Sequence, residues 1–114
     1  MPAYNEERTI AQVAQRVLEE VPCTLELIIV NDGSTDQTRQ IVDALAAKDS
    51  RVRVAHKENG GKASALKQGI AMSRGDIVII QDADLEYDPA EIIHVIQPIL
   101  DGKADVVYGS RFLV

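Results

Sequence analysis

Apolar residues recur along this chain in two alternating rhythms, helical spacing and short unbroken runs. Ile10, Val13, Ala14, Val17, Leu18 and Val21 follow one another at helical intervals, which predicts an amphipathic helix with a capped start near Asn5, Glu6 and Glu7. Leu25 to Val30 is apolar except for Glu26 and stops at Asn31-Asp32-Gly33, the pattern of a buried strand entering a turn. Ser34 and Gln37 have capping-box spacing, and Ile41, Val42 and Leu45 outline a second helix. Val52 and Val54 mark a short strand, and Asn59-Gly60-Gly61 breaks the chain. Ala63, Leu66 and Ile70 then outline a third helix ending near Arg74-Gly75. Ile77 to Ile80 carries the strongest buried-strand signal and runs into Gln81-Asp82-Ala83-Asp84. Asp88-Pro89-Ala90-Glu91 has the form of a helix start, followed by Ile92, Ile96, Ile99 and Leu100 on one face with a kink at Pro98. Val106 to Tyr108 closes the series as a strand.

Strands that alternate with helices imply right-handed crossovers and a mostly parallel sheet covered on both faces, so the fold class is α/β with a Rossmann-like topology. In such sheets ligands bind beyond the carboxyl ends of the strands, where the strand order reverses. That rule makes the strand-end residues the candidates for chemistry: Asn5 and Glu6, Asn31 and Asp32, Asn59 to Lys62, Asp82 and Asp84, and Ser110 with Arg111.

Composition narrows the function. The 114 residues and 46% hydrophobic content fit one domain, 1–114, with one core. A net charge of -6 excludes a surface built to coat nucleic acid, which needs clustered Lys and Arg. The single cysteine, Cys23, has no partner for an internal disulfide or a metal pair, and reads as a small packing residue. No apolar run approaches the roughly 20 residues of a membrane span. A cytoplasmic setting is therefore expected. His56 and His94 have no partner at ligand spacing and read as structural.

The candidates together combine carboxylates suited to a hard divalent cation, Mg2+ or Mn2+, with cations suited to phosphate and glycines that admit close backbone approach. An isolated Asp-x-Asp more often ends a strand and caps a turn. Its position after Ile77 to Ile80 favours a metal–diphosphate role for Asp82 and Asp84. Asp32-Gly33 is also an ordinary turn dipeptide. Gly60-Gly61-Lys62 is equally a short glycine turn or a phosphate cradle. Arg111 on its own is as often a surface residue.

The strings PAYNE (2–6), VNDGSTD (30–36), NGGKASA (59–65), QDADLEYDP (81–89) and VVYGSRF (106–112) resemble, in that order, the family 2 glycosyltransferases of the GT-A fold. The last two are most similar to the polyprenyl-phosphate glycosyltransferases, the group that includes dolichol-phosphate mannose synthase. The resemblance implies that Pro2, Ala3, Tyr4 and Glu6 line a nucleoside pocket and that Asp32, beside Gly33, bonds the base or ribose. It implies that Asp84 binds the metal directly, that Asp82 supports the ribose or metal, and that Glu86 stands near the ion. Lys62 and Arg111 would hold phosphates. The implied reaction moves a sugar, with inversion, from a UDP- or GDP-sugar to an acceptor such as a polyprenyl or dolichyl phosphate, at a membrane surface in the full-length enzyme.

Two departures from the family pattern carry expectations of their own. Only Met1 to Tyr4 stand where relatives have a full apolar strand, so a truncated first strand and self-association or strand exchange are expected. The chain stops at Val114, before the relatives' acceptor segments, so nucleotide binding is expected more readily than transfer. The rival reading is a noncatalytic nucleotide-binding module. A phosphotransfer domain of the haloacid dehalogenase or receiver type would want its acids near the first strand. A nucleotidyltransferase would want a glycine-rich, arginine-containing opening loop, which Pro2 to Arg8 does not supply.

Overall fold

A computed structural model describes residues 1–21, 25–74 and 78–81. Helix α1 (Ile10–Glu20) forms where the sequence spacing asks for it, and its buried stripe is Ile10, Val13, Ala14 and Val17. Its start differs from the expectation. Thr9 is the N-cap and gives no side-chain cap, while Asn5 lies outside the helix in a left-handed conformation at φ 51°. The backbone carbonyl of Glu6 instead accepts the amides of Thr9 and Ile10, at 3.1 and 2.9 Å.

Strand β1 (Pro2–Ala3) pairs in parallel with β2 (Leu27–Asp32). Met1 continues the pairing: its amino group donates to the Ile28 carbonyl at 2.8 Å, and its carbonyl accepts the Val30 amide at 3.0 Å. On the other side β2 pairs in parallel with β3 (Val52–Lys57) through all six residues, giving the order β1-β2-β3. Strand β2 begins and ends two residues later than its apolar run, because Asn31 and Asp32 belong to the ladder rather than to the turn.

Helix α2 (Thr38–Lys48) packs with α1 against one sheet face, where Ile10, Ala14, Val17, Leu27, Ile29, Val42 and Val52 form the core. The capping box expected of Ser34 and Gln37 does not form. Asp36 supplies the bond, accepting the Thr38 amide at 2.9 Å, while the Ser34 hydroxyl accepts the Asn5 amide. A carboxylate two residues before an amide closes a local turn that competes with the longer box.

Helix α3 (Lys62–Met72) meets the sheet on the side of Val30, opposite to the core residues Leu27 and Ile29, as the alternation of a strand requires. Its buried residue is Ala65, whereas Ile70 is 51% exposed, so the expected face through Ala63, Leu66 and Ile70 is not the packed one. Small residues set the approach: a Cβ placed on Gly69 would lie 3.4 Å from Val30 Cγ2. That is ordinary van der Waals contact. Gly69→Ala therefore removes the helix penalty of glycine without a clash, and is expected to stabilise the chain by about 0.5–1 kcal/mol in thermal or urea unfolding.

The carboxyl end of α3 is held by Arg53, whose guanidinium donates to the Met72 carbonyl at 2.6 Å, where a cation also suits the helix dipole. Residues 78–80 do not form the expected strand among the described residues, and Val78 and Ile80 are about half exposed. Ile77, the helix from Asp88, Pro98, the strand 106–108, Cys23 and His94 lie outside the described residues.

Candidate functional site

Strands β2 and β3 end in register, so their last two residues face each other as cross-strand pairs: Asn31 with His56, and Asp32 with Lys57. Alternation sends the two pairs to opposite faces of the sheet. The Asp32 pair lies towards α3. Its carboxylate accepts Lys57 Nζ at 2.6 Å and the Gly60 amide at 2.9 Å on Oδ1, and the Gly61 amide at 3.0 Å on Oδ2. The side chains of Asp32 and Lys57 are only 6% and 16% exposed. Lys57 holds the Asp32 carboxyl below its usual range; burial opposes this, and the two glycine amides support Lys57.

Asp32 thus places a negative charge at the entry to α3, where the first amides of a helix lack intrahelical partners. The backbone alternative for this loop, a cradle of free amides for phosphate, is not the arrangement found: Gly60 and Gly61 donate to Asp32. The carbonyl of Asp32 also accepts the Asn59 side-chain amide, so the turn at Gly33 is bound to the 59–61 loop from both sides. Gly33 adopts φ 73°, and a Cβ there would lie 2.5 Å from the Asn59 backbone nitrogen. Only glycine meets both conditions.

The loops after β1 and β2 are stitched together. Asn5 Oδ1 accepts the Thr35 amide at 2.8 Å, the Glu6 amide donates to Thr38 Oγ1 at 2.9 Å, and the Glu7 carboxylate accepts the Gln37 amide at 3.0 Å. In return Asp36 accepts the Glu7 amide and the Thr38 amide and hydroxyl. Burial pushes the Asp36 carboxyl up, but these donors outweigh it and leave it below the ordinary value.

This geometry places the predicted residues as follows. Pro2 and Ala3 form β1, Ala3 is buried beside Asn31, and Tyr4 is half exposed just beyond. Glu6 serves the loop through its backbone, and its carboxylate accepts the Thr9 hydroxyl at 3.4 Å. Asp32 ends the central described strand, Gly33 turns out of it, and Lys62 opens α3. All belong to the strand-end rim that the topology defines. Asp82, Asp84, Glu86 and Arg111 lie outside the described residues.

Among the described residues no group of three His, Cys, Asp or Glu side chains is gathered to hold a metal. Asp32, already engaged by an ammonium and two amides, is not suited to ligate a cation as well. Pattern reading did not single out Lys57, and it read His56 as structural without naming the partners that hydrogen-bond geometry gives it, Asn31 and Asp43. The signal for both was available only by aligning the ends of two strands, which opposes Asp32 to Lys57 and Asn31 to His56.

A family model for glycosyl transferase family 2 matches residues 1–114. The chain belongs to glycosyl transferase family 2. Glycosyltransferase GlyG of Streptococcus pneumoniae is 35% identical over 113 residues, covering 98% of this chain and 38% of that protein. The undecaprenyl-phosphate 4-deoxy-4-formamido-L-arabinose transferase of Pseudomonas aeruginosa is 35% identical over 118 residues, covering 97% and 34%. Among solved structures, glucosyl-3-phosphoglycerate synthase of M. tuberculosis is similar with a TM-score of 0.71 and 33% identity, over 88% of this chain and 39% of that one. The family 2 chain described here therefore spans 34–38% of these curated relatives. Its parallel sheet and helices have the α/β, GT-A arrangement of its structural neighbours. Among the described residues no helix is long and apolar enough to cross a membrane.

Proposed function

We propose that this family 2 chain forms the donor-binding part of a glycosyltransferase that takes a UDP- or GDP-sugar and passes the sugar, with inversion, to a polyprenyl-type lipid phosphate at a membrane surface. The observation that carries the reading is the rim itself, where the ends of β1, β2 and β3 and the start of α3 are locked around Asp32 and the Gly33 turn. A pre-organised rim loses little freedom when a nucleotide docks, so more of the contact energy appears as affinity.

In this reading Pro2, Ala3, Tyr4 and Glu6 border the nucleoside and Asp32 accepts an N–H or O–H from the base or ribose. A carboxylate has about four acceptor positions. Lys57, Gly60 and Gly61 use three, leaving one on Oδ2. Lys62 and Arg111 would steady phosphate oxygens. A divalent cation, Mg2+ or Mn2+, held by Asp82 and Asp84 with Glu86 close by, would supply positive charge against the departing diphosphate. A lipid phosphate acceptor is already anionic and needs no strong general base from the protein. The lipid acceptor is supported by the undecaprenyl-phosphate named in the activity of the Pseudomonas aeruginosa relative.

Calorimetric titration of UDP and GDP, with and without Mn2+, tests this reading. One nucleotide is expected to bind, with affinity raised about tenfold or more by Mn2+. Asp84→Asn should abolish the metal gain while leaving the fold intact by circular dichroism. Failure of both nucleotides to bind with Mn2+ present would overturn the proposal.

A further inference from the structure

The second cross-strand pair has no part in the reading above, yet it is bonded with a definite polarity. Asn31 is 3% exposed, so its amide cannot turn to water for partners. Its Oδ1 accepts the Ser34 backbone amide at 3.2 Å. An N–H donates only to an acceptor, so Oδ1 must face Ser34, and Nδ2 must face His56 Nδ1 at 3.0 Å. The imidazole nitrogen therefore accepts, the ring proton sits on Nε2, and Nε2 donates to Asp43 Oδ1 of α2 at 2.7 Å.

We infer that His56 is a positioning residue for the nucleotide rim: backed by Asp43, its Nδ1 holds Asn31 in the one orientation that secures Ser34 and with it the Asp32-Gly33-Ser34 turn. The inference rests on the proposal that this turn meets the nucleotide. Without an acceptor at Nδ1 the Asn31 amide loses its anchor, and a flipped amide sets a donor against the Ser34 N–H. Asp32 follows Asn31 directly in the strand, so looseness at Asn31 reaches the carboxylate that faces the ligand.

Two amide substitutions separate this role from simple packing. His56→Asn puts an amide oxygen near the place of Nδ1 and keeps an acceptor for Asn31. His56→Gln puts its amide near the place of Nε2, keeping Asp43 and abandoning Asn31. In the full chain, His56→Gln is expected to speed hydrogen exchange at the Ser34 amide and to weaken UDP or GDP binding about three- to tenfold, the scale of one hydrogen bond, with His56→Asn within about twofold of wild type on both. A lower melting temperature in both variants is compatible with this, since only the split between them reads out positioning.

If His56→Gln fails to fold, Asp43→Ala takes its place. Asp43 is more than half exposed, and its loss frees the ring from behind, so Ser34 exchange should again rise. Asn and Gln variants that behave alike in a chain that binds nucleotide would overturn the inference alone, as would unchanged Ser34 exchange in His56→Gln or in Asp43→Ala. A wild-type chain that binds neither nucleotide removes both the functional reading and this inference.

Discussion

Replacing Lys57 with methionine is expected to lower the stability of the chain by about 3 kcal/mol, measured by urea unfolding at neutral pH. The substitution keeps the aliphatic stem and removes the one ammonium bonded to the Asp32 carboxylate, which is 6% exposed and has little access to water in exchange. Two glycine amides remain, so the carboxylate is weakened rather than orphaned. Adding Asp32→Asn to the variant removes the uncompensated charge and should return part of the loss. A loss below about 1 kcal/mol for Lys57→Met would mean the pair behaves as a surface ion pair.

The same substitution has a signature in acid. Asp32 has a lower carboxyl pKa folded than unfolded, so its stabilisation is complete above the unfolded value of about 3.9 and is lost as pH falls through the folded value. Removing Lys57 removes the largest cause of that depression. The stability gap between the wild type and Lys57→Met should therefore narrow as pH falls through that range. Asp36, also depressed, contributes equally to both proteins.

Gly33→Ala is expected to cost about 2–3 kcal/mol and to abolish measurable nucleotide binding. The new methyl would stand 2.5 Å from the Asn59 nitrogen and 3.0 Å from its Cα, both backbone atoms, at a φ of 73° that alanine rarely adopts. Relief requires the 59–61 loop to move, and that loop carries the amides bonded to Asp32. Gly61→Ala is the matched control. Its φ is 93° but nothing lies within 4 Å of the added Cβ, so it bears conformational strain without collision and should cost about 1–2 kcal/mol. Equal losses at the two positions would show that strain alone, not contact with Asn59, sets the requirement at Gly33.

The elements that bury one clean stripe were legible in the amino-acid pattern. Helix α1 came from Ile10, Val13, Ala14 and Val17, all buried. Where small residues do the packing, hydrophobicity misdirects: Ile70 drew the eye on α3, but Ala65 and Gly69 let the helix close on the sheet. Polar residues inside a ladder mislead in the same way, since Asn31 and Asp32 read as a turn and prove to be paired strand. The rim positions Asp32, Gly33 and Lys62 were visible because each follows a chain-breaking pattern. Lys57 and the partners of His56 were not, because their meaning lies in the register between strands, which no single segment encodes.

The fastening of α3 to the sheet has a bearing on the rim. Arg53 of β3 grips the Met72 carbonyl behind the helix, and Asp32 of β2 takes the Gly60 and Gly61 amides in front of it. A cylinder pinned to two strands fore and aft keeps its leading turn at a set height over the strand ends.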